Sequence, residues 1–369
     1  MTGLTTPIEI LRPQRIEFGC GLAPLAGRWA QERGLSRILV VAGRSNAARV
    51  EQLGLKGEVT IFGEVKPEPD IPNLDAALDL AGRVKPDLVI GFGGGSALDL
   101  AKLVAVLPGS GQSIHDVVGP EKVAGRRVAL VQVPTTAGTG SEAGTRALVT
   151  DPATQAKLAA QSRHMLADLA VVDPDLMLSV PPAVTAATGV DALAHCAEAF
   201  TSRRAHPLID LYALEGIRLV GRFLPRAVAD GTDREARAGL ALASLYGGYC
   251  LGPVNTTAGH AVAYPLGTRH HVAHGLACAV IFPHTLAFNA PAQPEKTAAT
   301  LAALGVKDAE GAHGWCAALG IEMRLGRLGV PESDLPAMAR DAHAIRRLLD
   351  FNPREISEAE ILAMYQRAF

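Results

Sequence analysis

Four short runs of branched and aliphatic residues constrain this chain more than any other feature. They are RILVVAG (37–43), EVTIFGEV (58–65), PDLVIGFGGG (86–95) and RVALVQVPTT (127–136). The runs are nearly continuous rather than alternating, and each is bounded by glycine or proline. That pattern suits strands covered on both faces, as in a parallel sheet. NAARVEQLG (46–54) and IPNLDAALDLAGRV (71–84) lie between them with helical spacing, which makes a succession of βαβ units. Beyond about residue 180 the character changes. PPAVTAATGVDALAHCAEAF (181–200), HPLIDLYALEGIRLVGRFL (206–224) and REARAGLALASLYGGYCLG (234–252) are rich in Ala and Leu, helical in period and poor in strand formers. The expected architecture is an α/β domain with a parallel sheet over residues 1–182 and an all-helical domain over 183–369. The boundary falls at SVPPAV, where two prolines cannot continue a helix.

With 369 residues, 48% hydrophobic and 20% charged, the chain can bury two cores. Its formal charge of −2, with Lys and Arg scattered, lacks the basic footprint that nucleic-acid binding needs. Aromatics at 4% are too sparse for base stacking. No apolar run approaches the roughly 20 residues of a membrane span. The N-terminal MTGLTTPIEILRPQRIEFG has no secretory or transit character. Cys20, Cys196, Cys250, Cys278 and Cys316 are odd in number and widely spaced, which predicts reduced, mostly buried thiols in a cytosolic protein. The chain reads as a soluble cytoplasmic protein with a small-molecule partner and no nucleic-acid or membrane partner.

Two glycine-rich turns follow strand runs. In DLVIGFGGGSALDLAKLVAVL (87–107) a strand enters Gly93, Gly94 and Gly95, and a helix is expected to open at Ser96 with Asp99 as its capping partner. Backbone amides at a helix N-terminus make a plausible pyrophosphate cradle, although a tight turn reads the same way and Ser96 holds the last place of an incomplete GxGxxG. In VPTTAGTGSEAGTRALV (133–149), Thr135, Thr136, Thr139 and Ser141 could line a nucleotide or simply hold a polar loop. The loop does not pattern as a GxSxG nucleophile elbow.

GHAVAYPLGTRHHVAHG (259–275) holds four of the eleven histidines among small apolar residues. Upstream, Asp191 and His195 are four apart on one helix face. Alone they would read as a core pair. With His260 in an apolar helical stretch and His274 opening another after an expected turn at GTRHHV, they match a divalent transition-metal site with coordination left open. His270 and His271 flank that turn. His284 sits about three turns beyond His274, too far for the same ion.

Taken in order, GGGSALDLAK, PTTAGTGSE, DPDLMLSVPPAVTAATGVDALAHCAEAF, HAVAYPLG, AHG and NPREISEAEIL resemble the iron-containing, or group III, alcohol dehydrogenase family over nearly the whole chain. The resemblance implies an α/β dinucleotide-binding domain followed by an all-helical metal-binding and substrate domain, a dehydroquinate synthase-like fold. It implies metal ligands Asp191, His195, His260 and His274, holding Fe²⁺ or Zn²⁺. Gly94, Gly95 and Ser96 would contact the pyrophosphate, with Asp99, Thr135 and Thr136 near the nicotinamide, Thr139 lining the same loop and Lys157 approaching the cofactor. A homodimer is the family-like assembly, and an NAD(P)-linked alcohol dehydrogenase or aldehyde/ketone reductase the implied activity.

Three departures stand out. HAVAY (260–264) puts Tyr264 where many members carry a second histidine, so proton exchange falls to Tyr264, His270, His271, water or the cofactor ribose. After the first strand run come Gly43, Arg44 and Ser45, without an acid for the ribose 2′-OH, so Arg44 favours NADP(H) or dual use. Arg146 stands where relatives often have a neutral residue, as a substrate-anion anchor or a surface charge. The alternative activity is maleylacetate reductase, although a dianionic substrate wants several basic groups in the helical half. A dehydroquinate synthase-like lyase, glycerol dehydrogenase or a non-catalytic metal protein fits these motifs less well.

Overall fold

β2 (Arg37–Ala42), β3 (Glu58–Phe62), β4 (Leu88–Gly93) and β6 (Ala129–Pro134) each fall inside one of the four runs. With β1 (Arg15–Phe18) and β9 (Leu169–Val172) they form a six-stranded sheet ordered β1-β9-β6-β4-β2-β3, parallel at every pairing. The computed structural model describes residues 3–369. The runs are continuous because both faces are buried: Leu39, Val41, Val89 and Leu130 pack on one side, Ile38, Val40, Ile90, Val131 and Val133 on the other. α3 (Ile71–Val84) and α4 (Gly95–Val106) supply the first layer, α1 (Leu25–Glu32) the second. A small sheet lies in the same unit, with β5 (Gly119–Pro120) parallel and β7 (Arg146–Asp151) antiparallel to β8 (Ala156–Gln161).

NAARVEQLG does not form one helix. It divides into α2 (Arg44–Ala47) and a 3₁₀ turn over Val50–Leu53 that ends on Gly54 in the left-handed region. So short a segment cannot nucleate a full helix without strong caps.

From Ser179 onward the fold is helical: α5 (Pro182–Thr201), α6 (Pro207–Ala229), α7 (Arg234–Leu251), α8 (Ala258–His270), α9 (His274–Asn289), α10 (Pro294–Ala303), α11 (Ala309–Ala318), α12 (Leu335–His343), α13 (Arg346–Leu349) and α14 (Glu358–Ala368). The helical unit also takes in the N-terminal stretch ending at Ile10 and the three residues Ala137–Thr139, while Leu11–Thr136 and Gly140–Leu178 make the α/β unit. Where the sequence suggested one boundary at 182, the chain crosses between the units four times, after Ile10, Thr136, Thr139 and Leu178, which hydrophobic period cannot reveal. α8 continues through Pro265 to His270, where the sequence suggested a turn at GTRHHV. A proline there forfeits one backbone bond, and the burial of residues 258–266 holds the helix together. The span His274–Ala292 is long and apolar enough to cross a membrane by length and composition, against the expectation of none, yet 56% of it is buried inside the fold.

Helix packing is tight where glycine permits it. A Cβ on Gly221 of α6 would lie 2.1 Å from the Ala303 carbonyl oxygen at the end of α10. Propensity alone would make Gly221→Ala stabilising by about 1 kcal/mol. The backbone collision reverses the sign, and a loss of about 1–3 kcal/mol is expected. Thermal or urea denaturation of the variant measures it, and a raised midpoint would show that α10 can shift without cost.

Candidate metal centre and dinucleotide cradle

α5 starts at the two prolines, and its first turn is tied down by Arg237 of α7, whose buried guanidinium donates to Thr185 Oγ1, Val180 O and Gly231 O. Three turns along, Asp191, His195 and Glu198 share one face of the helix. His260 comes from the first turn of α8 and His274 is the first residue of α9. These elements bring four side chains together. Asp191 Oδ1 lies 3.7 Å from His195 Nε2, 3.4 Å from His260 Nε2 and 3.6 Å from His274 Nε2. Asp191 is 1% exposed and His260 2%. Asp191 Oδ1 and His260 Nε2 have no hydrogen-bond partner, although a dry interior penalises polar atoms left that way.

Electrostatics and tautomers explain the arrangement. Burial opposes ionisation of Asp191, but the surrounding imidazoles outweigh it and hold the carboxylate well below its usual range. Burial pushes His195 down to about 4 against the pull of Asp191, so this imidazole is neutral at ordinary pH. Its Nδ1 donates to Gly138 O at 3.2 Å, leaving the Nε2 lone pair toward Asp191. His260 also engages a carboxylate through Nδ1, donating to Glu198 Oε1 at 2.6 Å, and against burial the polar groups around it, Glu198 and Asp191 among them, raise its pKa well above the usual imidazole value. Glu198 Oε2 in turn accepts from Thr257 N at 2.6 Å, Thr257 Oγ1 and His260 N. Against burial, His260 and these amides keep Glu198 ionised below its ordinary value. One carboxylate oxygen and three imidazole nitrogens, two of the rings oriented by partners on their far nitrogens, fit a divalent transition metal.

Sequence reasoning missed Glu198 and Cys278. Glu198 carries its own signal, since it lies three residues past His195 on the same helix face. Cys278 Sγ lies 3.7 Å from His274 Nε2. Tyr264 reaches the cluster, its ring stacked on His274 at 5.8 Å between centroids and edge-on to His260 at 6.3 Å. The structure gives the other two proton-exchange candidates different places. His270 Nε2 lies 3.2 Å from Asp334 Oδ2, and exposed His271 ends α8 in the left-handed region with φ +55°.

In the α/β unit the chain leaves β2 for one side of the sheet and β4 for the other, so the topological switch lies between these neighbours, where α/β sheets bind ligands beyond their carboxyl ends. Gly43–Ser45 and Gly93–Ser96 lie at that edge. The helix after β4 begins at Gly95, not Ser96, with Gly94 in the cap position and no side chain bonded to the cap. Ala97 N and Leu98 N bond back to Gly94 O, so Gly95 N and Ser96 N present the anion-binding end. A Cβ on Gly94 would press on Thr136 Oγ1 at 3.1 Å, and one on Gly93 would meet Ala97 Cβ at 2.7 Å. Thr135 Oγ1 accepts from Asn46 Nδ2 across the same edge, and Thr139 belongs with the helical unit.

Asp99 is not a helix cap. It accepts from Ser141 Oγ and from Leu148 N, while buried Lys102 donates to Ser141 Oγ and Arg146 O, both at 2.7 Å. This network ties α4 to β7, because a residue four positions into a helix is past the reach of the first amides. Arg146 donates to Gln161 Oε1, and Lys157 pairs with Glu68. Arg44 has a carboxylate neighbour that its own segment does not show. Glu64, beyond the end of β3, accepts from Arg44 Nε at 3.1 Å and Nη2 at 2.9 Å. The parallel register of Val41 with Phe62 puts them there.

Comparison with known proteins agrees over the whole chain. The family model described as iron-containing alcohol dehydrogenase matches residues 13–174, and that of the Fe-containing alcohol dehydrogenase family, C-terminal, matches residues 185–369. Long-chain-alcohol dehydrogenase 1 of Geobacillus thermodenitrificans is 39% identical over 84% of this chain and 82% of its own. A crystal structure of 1,3-propanediol oxidoreductase superposes with a TM-score of 0.91 at 33% identity, covering 99% of this chain and 100% of the other. Sulfoacetaldehyde reductase from Bifidobacterium kashiwanohense, in complex with NAD⁺, gives 0.88 at 30% identity over 98% and 99% of the two chains.

Two outcomes follow. Glu198→Gln should lower zinc affinity about 10- to 100-fold, as loss of a ligand-orienting carboxylate does elsewhere. Chelator competition reads this, and unchanged affinity would reduce Glu198 to a packing role. Glu142, 2% exposed, is pushed by burial from 4.5 to about 7. Between those values the folded chain holds a proton that the unfolded chain has released, so stability falls as pH rises through the window. Glu142→Gln should gain stability relative to the parent between pH 5 and pH 8 in urea titrations; a pH-independent difference would assign that slope to other groups.

Proposed function

The chain belongs to the iron-containing alcohol dehydrogenase family and is an oxidoreductase acting on CH–OH groups, and we propose that it interconverts a small primary alcohol and its aldehyde with NAD(P)(H) and one Fe²⁺ or Zn²⁺ ion. The observation that carries this reading is the convergence of three imidazole nitrogens on the orphaned Asp191 oxygen at 3.4–3.7 Å. By their names, the relatives act on long-chain alcohols, 1,3-propanediol and sulfoacetaldehyde, which share a terminal hydroxyl or aldehyde carbon. That shared group defines the proposed substrate class.

Asp191, His195, His260 and His274 would hold the ion, which when bound supplies Lewis acidity to the substrate oxygen while hydride passes to or from the nicotinamide. Glu198 and Gly138 O fix His260 and His195 so that each offers Nε2 without moving. Gly95 N and Ser96 N would bind the pyrophosphate, with Thr135 and Thr136 nearer the nicotinamide. Tyr264 Oη is the proposed site of proton exchange, because its buried ring alone of the three candidates packs on the ligand imidazoles. Arg44 favours NADP(H): its exposed pair with Glu64 is weak enough to open for a 2′-phosphate, and Glu64 can accept a ribose hydroxyl, which keeps NAD(H) usable. A reducing cytoplasmic setting and a homodimer complete the proposal.

The test is NADPH and NADH oxidation with short aldehydes, hydroxyaldehydes and maleylacetate, using chelator-stripped protein resupplied with Fe²⁺ or Zn²⁺. Metal-dependent aldehyde reduction, abolished by His260→Ala, is expected. Turnover of maleylacetate alone would replace the substrate class. In the same assay Arg44→Ala should lower kcat/KM for NADPH about tenfold, equivalent to about 1.4 kcal/mol, and leave NADH within about twofold. Equal losses would remove Arg44 from the cofactor preference.

A further inference from the structure

Cys278 occupies a position that neither the ligand set nor the proton-exchange scheme uses. It is four residues past His274, one turn along α9, and is 2% exposed. Its Sγ is 3.7 Å from His274 Nε2 and 3.9 Å from Nδ1. Among the described residues, Asp191, His260, His274 and Cys278 offer donor atoms that all lie within 4.8 Å of one another. His195 is outside that tight group, stacked on His260 with 4.6 Å between centroids. Two donors about 2.1 and 2.3 Å from a tetrahedral ion stand about 3.6 Å apart, so a slight contraction brings the sulfur into coordination. Asp191 Oδ1 and His260 Nε2, both buried and without hydrogen-bond partners, point into the same space.

We propose that Cys278 is a metal donor in this centre, a thiolate that shares Asp191, His260 and His274 with His195 and exchanges with it. The inference rests on the metal-dependent reading above. On binding, the S–H bond breaks, a sulfur–metal bond forms and the proton leaves to solvent; no oxidation state changes. A soft thiolate on an otherwise nitrogen and oxygen site favours zinc over ferrous iron. The thiol packs in the apolar cluster with Ala277, Val280 and Ile281, yet its sulfur also lies against an imidazole nitrogen beside an orphaned carboxylate.

The experiment loads the full chain with Co²⁺ and records its absorption and metal content. The expected result is a near-ultraviolet sulfur-to-cobalt charge-transfer band, lost in Cys278→Ser with cobalt still bound and retained in His195→Ala. X-ray absorption of the zinc-loaded parent needs no variant and should show a sulfur neighbour at about 2.3 Å. Bound cobalt without that band, together with only nitrogen and oxygen around zinc, would overturn the role of Cys278 and leave the metal centre standing. No bound metal in the parent would overturn both. Zinc-over-iron selectivity should fall at least about tenfold in Cys278→Ser, the scale on which ligand-shell changes act.

Discussion

A single carboxylate oxygen, Asp191 Oδ1, sets the terms for the helical unit. It is buried, has no hydrogen-bond donor, and has a ring nitrogen from each of three imidazoles 3.4–3.7 Å away. Such a site is costly as plain protein core, since a dry carboxylate needs a positive partner and burial holds His195 neutral. The surrounding fold nevertheless enforces the arrangement: the Gly138 carbonyl and the Glu198 carboxylate claim the far ring nitrogens of His195 and His260 and so turn the near ones inward. A divalent cation held by these residues, as proposed, would satisfy the oxygen and the nitrogens together.

The α/β unit builds its proposed anion cradle without a standing charge at the contact. Its answer is backbone. Gly93 and Gly94 carry no side chain that could fit beside Ala97 or Thr136, so the chain passes from β4 into α4 with Gly95 N and Ser96 N presented at the helix end. The charges of this unit are used deeper in. Asp99 and Lys102 join Ser141 and the backbone of β7 into a buried network that fixes α4 against the second sheet, so the amides at its start are held from behind.

Much of this was legible in the sequence where one periodicity or one motif sufficed. The strand runs announced a sheet buried on both faces, and Asp191 with His195 announced a shared helix face. Features that depend on distant segments were not. β1 and β9 are only four residues each and are strands through pairing with distant segments: β1 with β9 at Arg15–Leu169 through Phe18–Val172, and β9 also with β6. Glu64 became Arg44's neighbour through the β2–β3 register, twenty residues apart in the chain. Ala137–Thr139, read as part of a nucleotide loop, belongs with the helices, and its Gly138 carbonyl orients His195. α8 ran through Pro265 because burial outweighed one lost backbone bond.

Three glycines show why the proposed metal site would be hard to improvise on another helical scaffold. A Cβ at Gly138 would sit 2.8 Å from Thr188 Cβ, at Gly259 2.5 Å from Glu198 Oε1, and at Gly275 2.7 Å from the Ala187 carbonyl oxygen. Each collision falls between the helix carrying Asp191 and a segment that supplies or orients another donor. At Gly138 and Gly275 the opposing atoms include backbone or a branched carbon next to it, which cannot swing aside like a long side chain. At Gly259 the opposing atom is the oxygen bonded to His260 Nδ1, so moving it would disturb the imidazole it orients. Coordination distances tolerate errors of only about 0.2 Å, less than any displacement a Cβ would force. The proposed donors can therefore be few and ordinary: close backbone approach, set by residues with no side chain, would supply the accuracy that the side chains themselves lack.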